Sequence, residues 1–331
     1  MTRPPKVLAA LLAAVLATVL ATVLAGCGLS SGATVPGRVA PGSIKPVPAL
    51  RGVPITIGSK DFSDNINIAY LMIYALQAAG MQVRDLTNIQ GSNSARTALK
   101  TGQIDLYPEY TGTSWINYNG HTQPIADGNE MFRAVKAEDA AQGISWVDMA
   151  PANNTYAMAI GPRVAQQYGL GSRSDLAKFA KTNPADATVC LETEFASRTD
   201  GWPGMIVKYG FTVPASNVHT MGTGAVYPST AAGQPCNFGE VFTTDGRIRA
   251  LKLTALEDDL NFFPKYNVSV SIRSAVLNEH PEIADVLKPV MDKLTNEVMI
   301  ELNAESDVQG RDWSEVARDW LAHNGFVTNL S

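Results

Sequence analysis

The chain has 331 residues and a formal net charge of −5, with 26 Lys and Arg against 31 Asp and Glu. A surface of that sign has no evident affinity for nucleic acid, while the length and a 45% hydrophobic composition suffice for two domains of ordinary size. No G-x-S-x-G elbow, H-E-x-x-H helix or phosphate-binding loop occurs, and His121, His219, His280 and His323 stand apart in sequence, so nothing singles out an enzyme.

Arg3 and Lys6 precede an uninterrupted run of Leu, Ala, Val and Thr from Val7 to Leu24, followed by Ala25-Gly26-Cys27. A charged leader, an apolar stretch and a small-residue exit describe an export signal. The run is long enough to span a bilayer, but its Ala and Thr content makes it a poor span. Leu24-Ala25-Gly26-Cys27 resembles the lipobox of bacterial lipoproteins. The resemblance implies removal of residues 1–26 and acylation of Cys27, palmitate included, which would hold the protein on the extracytoplasmic face of the cell membrane by lipid alone. Without Arg3 and Lys6 the mature chain would carry 24 basic and 31 acidic residues, about −7. Residues 27–52, with five Gly, four Pro and no acidic residue after Cys27, read as a flexible tether.

From residue 53 the pattern becomes that of an α/β fold. A strand over 53–58, a helix from the Asn65 region to its stop at Gly80, a strand over 81–89, a short helix over 92–101 and a strand from Ile104 make β-α-β-α-β, the order of a mostly parallel sheet covered by helices. In Ile104-Asp-Leu-Tyr-Pro-Glu-Tyr-Thr-Gly-Thr113 the alternation puts different chemistry on the two faces. Pro108 cannot donate to a ladder, which predicts an edge strand or one that leaves the sheet there. Its end delivers a ring and two hydroxyls to one spot, as small-molecule sites at strand carboxyl ends do; half-buried sheet tyrosines are the alternative.

A helix over 129–142 and a strand over 145–149 follow, then a strand from Tyr156 to Ile160 stopped by Gly161-Pro162. Helices over 164–168 and 173–180, a strand over 188–192, a helix over 204–209 and a strand near 217–221 repeat the rhythm. Residues 222–234 read as irregular, 240–244 and 251–256 as strands, and 261–271 as extended. The remainder reads as helices over 282–294, 296–302 and 313–323. Outside the cytoplasm Cys190 and Cys236 are expected to pair, with two unrelated buried thiols as the alternative. Such a bridge would close a loop of about 47 residues, worth about 3 to 4 kcal/mol. No CxxC spacing or neighbouring His suggests a metal.

Five motifs occur in a telling order: Ser59-Lys60-Asp61-Phe62, the decapeptide 104–113, Arg198-Thr199-Asp200-Gly201, Thr243-Thr244-Asp245-Gly246-Arg247-Ile248, and Leu256-Glu257-Asp258-Asp259 with Phe263-Pro264-Lys265-Tyr266. In that order they resemble the substrate-binding proteins of osmoprotectant ABC importers, receptors for glycine betaine, proline betaine, choline or carnitine. The resemblance runs from residue 53 to the end. It implies a two-lobed periplasmic-binding-protein-like clamp of type II, each lobe a mixed sheet flanked by helices and joined by two crossovers. One lobe would be residues 53–153 plus 264–331, the other 154–263, with the ligand in the cleft between them. It also implies a monomer without cofactor, whose partners are a permease and its ATPase.

By motif match, Tyr110 and Tyr266 from the first lobe and Tyr156 from the second would cage a quaternary ammonium. That group has no N–H to donate, so ring faces must select it, each desolvated ring contributing about 1 to 2 kcal/mol. Lys60, Arg198 and Thr113 match positions that hold a betaine carboxylate. The alternatives are a solvated turn charge for Lys60 and a structural salt bridge for Arg198. Phe242 stands where many relatives have Tyr: it keeps the ring and loses the hydroxyl. With residues 221–234, it leaves open a more apolar or larger aromatic ligand. An exported hydrolase is the alternative from another class.

Overall fold

The computed structural model describes residue 35 and residues 37–330, so the apolar leader and Cys27 lie outside the described residues. In chain order the strands are β1 (Val39–Pro41), β2 (Pro54–Lys60), β3 (Gln82–Ile89), β4 (Leu106–Tyr110), β5 (Ile144–Val147), β6 (Tyr156–Ile160), β7 (Val189–Leu191), β8 (Val218–Thr220), β9 (Phe238–Phe242), β10 (Thr254–Ala255), β11 (Val268–Arg273) and β12 (Val327–Asn329). Two five-stranded mixed sheets result. The first has order β3-β2-β4-β11-β5, the second β10-β6-β9-β7-β8. β2 runs parallel to β3 and β4, whereas β11 is antiparallel to both its neighbours. The chain leaves the first sheet after β5 and returns to it at β11, so two crossovers join two lobes.

The first lobe is built around the helix Ser63–Ala78, which is apolar on nearly every side and is therefore buried on nearly every side. It packs on β2 and β3 and beneath the helices Glu282–Met291, Asn296–Asp307 and Trp313–His323. In the second lobe, helix Arg173–Thr182 starts at a capping box between Ser172 and Asp175. Cys190 on β7 and Cys236 ahead of β9 are disulfide-bonded. The lobes also touch directly. Gly246 opens the helix Gly246–Ala250 against Asn296–Asp307, and a Cβ there would lie 2.5 Å from the Ala304 Cβ and 2.6 Å from its Cα.

Four expectations need correction. β4 is interior, flanked by β2 and β11, so Pro108 does not mark an edge. The Thr111 N–H donates to the Asn267 carbonyl, so the alternation turns Pro108 away from β11 and toward β2. There the β2 pairing has already ended, at Ile57 and Leu106, and the Asn65 side chain takes the Pro108 carbonyl at 2.8 Å. A missing N–H costs nothing at such a place. Residues 222–234 are not irregular: Thr223–Ala232 is a helix, with Pro228 inside it and Gly233 ending it in the left-handed region. Its Tyr227 hydroxyl accepts from the Phe242 N–H, a long-range contact that local composition does not reveal. The part of the expected tether beyond residue 37 is docked: β1 pairs with β12, and Leu50 is fully buried. Val39, Ile44 and Leu50 join the main hydrophobic core, and this segment is tied to β12 and to the end of helix Ser63–Ala78, with the Val47 N–H donating to the Ala79 carbonyl. Finally, 261–267 is not strand, and regular extension begins at Val268.

Glu240 on β9 is an ionisable group inside the second lobe, 1% exposed. One oxygen accepts the Glu192 N–H at 3.2 Å, and the other has no hydrogen-bond partner among the described residues. Burial, aided by the charge of Glu192, pushes its carboxyl up to about 8. The folded state thus keeps a proton that the unfolded chain sheds near the ordinary carboxylate value, and stability falls as pH rises toward 8. Glu240→Gln is expected to raise the thermal midpoint progressively more from pH 5 to pH 8 and by a constant amount above it. A gain independent of pH would contradict this assignment.

Candidate functional site

The carboxyl ends of β2 and β4, the amino end of β6, the carboxyl end of β9 and the second crossover converge on one cleft of about 600 Å³. β2 ends at Lys60, and Phe62 follows as the residue ahead of helix Ser63–Ala78. β4 ends at Tyr110, and a single helical turn, Thr111–Thr113, presents Thr113. Tyr156 begins β6, Phe242 ends β9, and Arg198 follows the short helix Thr193–Ser197. Lys60, Tyr110, Thr113, Tyr156, Arg198, Phe242 and Tyr266 all line this cleft.

Aromatic rings form one side. Phe62 lies 5.8 Å from Tyr110 and 5.1 Å from Phe242 between centroids; Tyr156 lies 5.1 Å from Phe242 and 5.3 Å, edge on, from Tyr266. Behind Tyr156 stand Phe195 and Phe263. Phe242 is therefore part of the ring cluster, and what replaces a hydroxyl there is a stack with Phe62. Sequence reading did not single out Phe62 as a site residue. The available signal was its place two residues after Lys60, at the turn between the strand and the helix that starts at Ser63, where side chains gather on one rim.

Two tyrosines of the cluster rest on carboxylates. The Tyr110 hydroxyl donates to Asp64 at 2.7 Å, and that of Tyr266 to Asp200 at 2.6 Å. Burial first, and these carboxylates second, push both phenols well above their ordinary range, so both remain neutral donors. Burial disfavours the charge of Arg198, but Tyr156 and Asp200 outweigh it and keep the guanidinium protonated.

The two cations are not free groups waiting at the rim. Lys60 is buried, with its Nζ 2.6 Å from Glu109, whose carboxylate also accepts from Tyr107 at 2.6 Å and Tyr118 at 3.0 Å. Arg198 is also buried; it donates to Asp200 at 2.8 and 2.6 Å and to Glu194 at 2.7 Å, and approaches the Thr113 hydroxyl at 3.5 Å. Burial opposes ionisation of Glu194, but Arg198 and Lys60 prevail and hold its carboxyl at about 2. Each cation also lies over a cage ring, Lys60 at 5.2 Å from the Tyr110 centroid and Arg198 at 5.5 Å from that of Tyr156. A ligand carboxylate reaching Lys60 or Arg198 would thus compete with carboxylates already there. The alternative of a structural salt bridge at Arg198 describes its present contacts. Glu109 and Asp200 lay inside the quoted motifs, but their roles depend on neighbours distant in sequence.

Several of these bonds cross between the lobes. Glu194 accepts from the Ser92 N–H at 3.0 Å, Tyr266 reaches Asp200, the Thr244 hydroxyl donates to Asp64 at 2.7 Å, and Asn303 donates to the Thr244 carbonyl at 3.0 Å. The lobes are therefore closed upon one another around the cleft, the arrangement a clamp adopts over a small molecule.

Residues 53–323 match the family model described as the substrate-binding domain of an ABC-type glycine betaine transport system. The chain is 36% identical over 272 residues to a glycine-betaine-binding protein of Pseudomonas aeruginosa, covering 81% of this chain and 86% of that one. It is 29% identical over 278 residues to an ergothioneine transport permease and ergothioneine binding protein of Helicobacter pylori, covering 84% of this chain and 49% of that longer one. Among solved structures, a glycine betaine/carnitine/choline ABC transporter protein superposes with a TM-score of 0.66 at 25% identity, over 82% of this chain and 99% of the other. The fold is that of the type II solute-binding proteins, and the chain belongs to the family of substrate-binding domains of ABC-type glycine betaine transport systems.

Proposed function

We propose that this protein captures a quaternary-ammonium solute, glycine betaine or a close analogue, and delivers it to an ABC permease driven by its ATPase. The observation that carries the reading is the convergence of Phe62, Tyr110, Tyr156, Phe242 and Tyr266 on one cleft in a member of this family. Rings hold a methylated cation by quadrupole attraction and apolar contact, and several rings suffice for micromolar binding after the costs of association. The working lobes are residues 53–153 with 264–331, and 154–263. Tyr110, Tyr156, Phe242 and Tyr266 take the cation, while Lys60, Thr113 and Arg198 take any carboxylate. Closure over the ligand makes the surface that the permease reads, and no bond is made or broken. The protein works as a monomer.

A second reading keeps the receptor and enlarges the ligand. The cleft continues past the rings to Gln90, Ser92, Asn93 and Thr223, its volume suits a small drug-sized molecule, and both cations are already paired. A larger, partly aromatic betaine would use that polar annex, and the ergothioneine-binding name of the Helicobacter pylori relative fits this reading.

Calorimetric titration with glycine betaine, choline, carnitine, the aromatic betaine ergothioneine and an uncharged aromatic compound separates the two: tighter binding of glycine betaine supports the first reading, and tighter binding of ergothioneine the second. Saturable binding of a quaternary ammonium is expected, weakened tenfold or more by Tyr110→Ala or Tyr266→Ala; binding of the uncharged aromatic alone would overturn the cage. Arg198→Ala is expected to weaken glycine betaine more than choline. Equal losses would make Arg198 a structural group that holds Asp200.

Cys27 carries the lipid and anchors the protein on the extracytoplasmic face, after removal of residues 1–26. Metabolic labelling with a palmitate analogue is expected to mark the wild type and not Cys27→Ser, which should leave the membrane fraction. Labelling of both would refute the anchor.

A further inference from the structure

Asp64 occupies the first turn of helix Ser63–Ala78, directly behind the cage. It is 5% exposed and holds three partners: the Tyr110 hydroxyl at 2.7 Å, the Thr244 hydroxyl at 2.7 Å and the Asn303 amide at 3.0 Å. None is a cation. The other buried carboxylates of the site differ in this respect, since Glu109 has Lys60 and Asp200 has Arg198. The charged groups facing Asp64 from neighbouring elements add to its isolation. Asp245 and Asp307 share the one guanidinium of Arg247, at 2.5 and 3.5 Å, so three carboxylates meet one cation. The helix start supplies only partial positive charge.

A buried anion with neutral donors alone is costly, and it is retained where something compensates it. Its strongest link leads to the ligand cleft. A phenol that donates to a carboxylate becomes richer in electrons, which strengthens the attraction of its ring for a cation, and the carboxylate's own field adds to this at close range. Resting on the reading of the cleft as a quaternary-ammonium site, we infer that Asp64 is the buried counter-charge of the bound cation, a positioning residue that acts through the Tyr110 hydroxyl. It also joins the lobes: Tyr110 and Asn303 belong to the first, and Thr244, following β9, to the second. Consistent with an uncompensated charge, burial, with the charge of Asp245 adding to it, raises the Asp64 carboxyl above its ordinary range against the pull of its three donors.

The test compares two probes that share a shape and differ in charge: choline, and its neutral isostere with a tert-butyl group in place of the trimethylammonium. In the wild type, choline is expected to bind more tightly. Asp64→Asn should lose about tenfold in choline affinity and leave the neutral isostere within about twofold. Without ligand at pH 7 its thermal midpoint should equal or exceed that of the wild type, because a folded-state pKa above the unfolded one means that the ionised side chain opposes folding at that pH. A purely structural Asp64 would instead lower the midpoint and weaken both probes alike, and that result overturns the inference. Tyr110→Phe, which keeps the ring and cuts the link, should lose about threefold for choline alone, and no loss would overturn it equally. Failure of the wild type to bind choline or any other quaternary ammonium would overturn the cage reading itself, and this inference with it.

Discussion

Tyrosine hydroxyls seated on buried carboxylates organise this molecule. Tyr266 on Asp200 and Tyr110 on Asp64 each fix a ring of the cluster, and each carboxylate in turn draws in a group from the opposite lobe or holds one beside it. A ring cage works only if its faces are held at the right spacing, and the phenol oxygens are what can be held. Remove the carboxylates and the rings become ordinary core residues, free to repack.

The charge pattern follows from the same constraint. A carboxylate placed to orient a phenol must be stabilised, and the chain does this with buried partners at two of the three positions: Lys60 for Glu109 and Arg198 for Asp200. Those cations are thereby occupied, which shifts the expected carboxylate-binding side of the cleft from free positive charge to neutralised pairs. A zwitterion must then compete for Arg198, whereas a cation meets rings backed by negative charge.

The fold serves this arrangement at its sheet ends. β4 lies at the centre of its sheet because β11 returns from the other lobe to pair with it, and that return sets Val268 opposite Tyr110 and the Tyr266 ring against Gly112. Asn65 fastens both β2 and β4, accepting from the Lys60 N–H at 2.7 Å while donating to the Pro108 carbonyl. The position of the site is thus a consequence of how the sheet closes.

Much of this was legible in the residues. Alternation and glycine stops located most strands and helices, because those signals are local, and the ordered motifs from Ser59 to Tyr266 pointed to the family and to seven cleft residues. What the residues could not determine were interactions between segments far apart. Pro108 read as an edge marker because its missing N–H is visible in sequence, while the divergence of β2 that makes it harmless is not. Residues 39–52 read as tether because Gly and Pro dominate locally, while the groove that buries Leu50 is made by distant segments. Thr223–Ala232 read as irregular because Gly and Pro there oppose helix, until packing on β9 and β7 outweighs propensity. Lys60 and Arg198 matched carboxylate-holding positions, with a structural salt bridge as the alternative for Arg198; its partners Glu194 and Asp200 are near in sequence, whereas Glu109 reaches Lys60 only through the fold. Periodicity determined the elements; only the tertiary structure decided which charges would be spent on one another and which, at Asp64, would be left for a ligand.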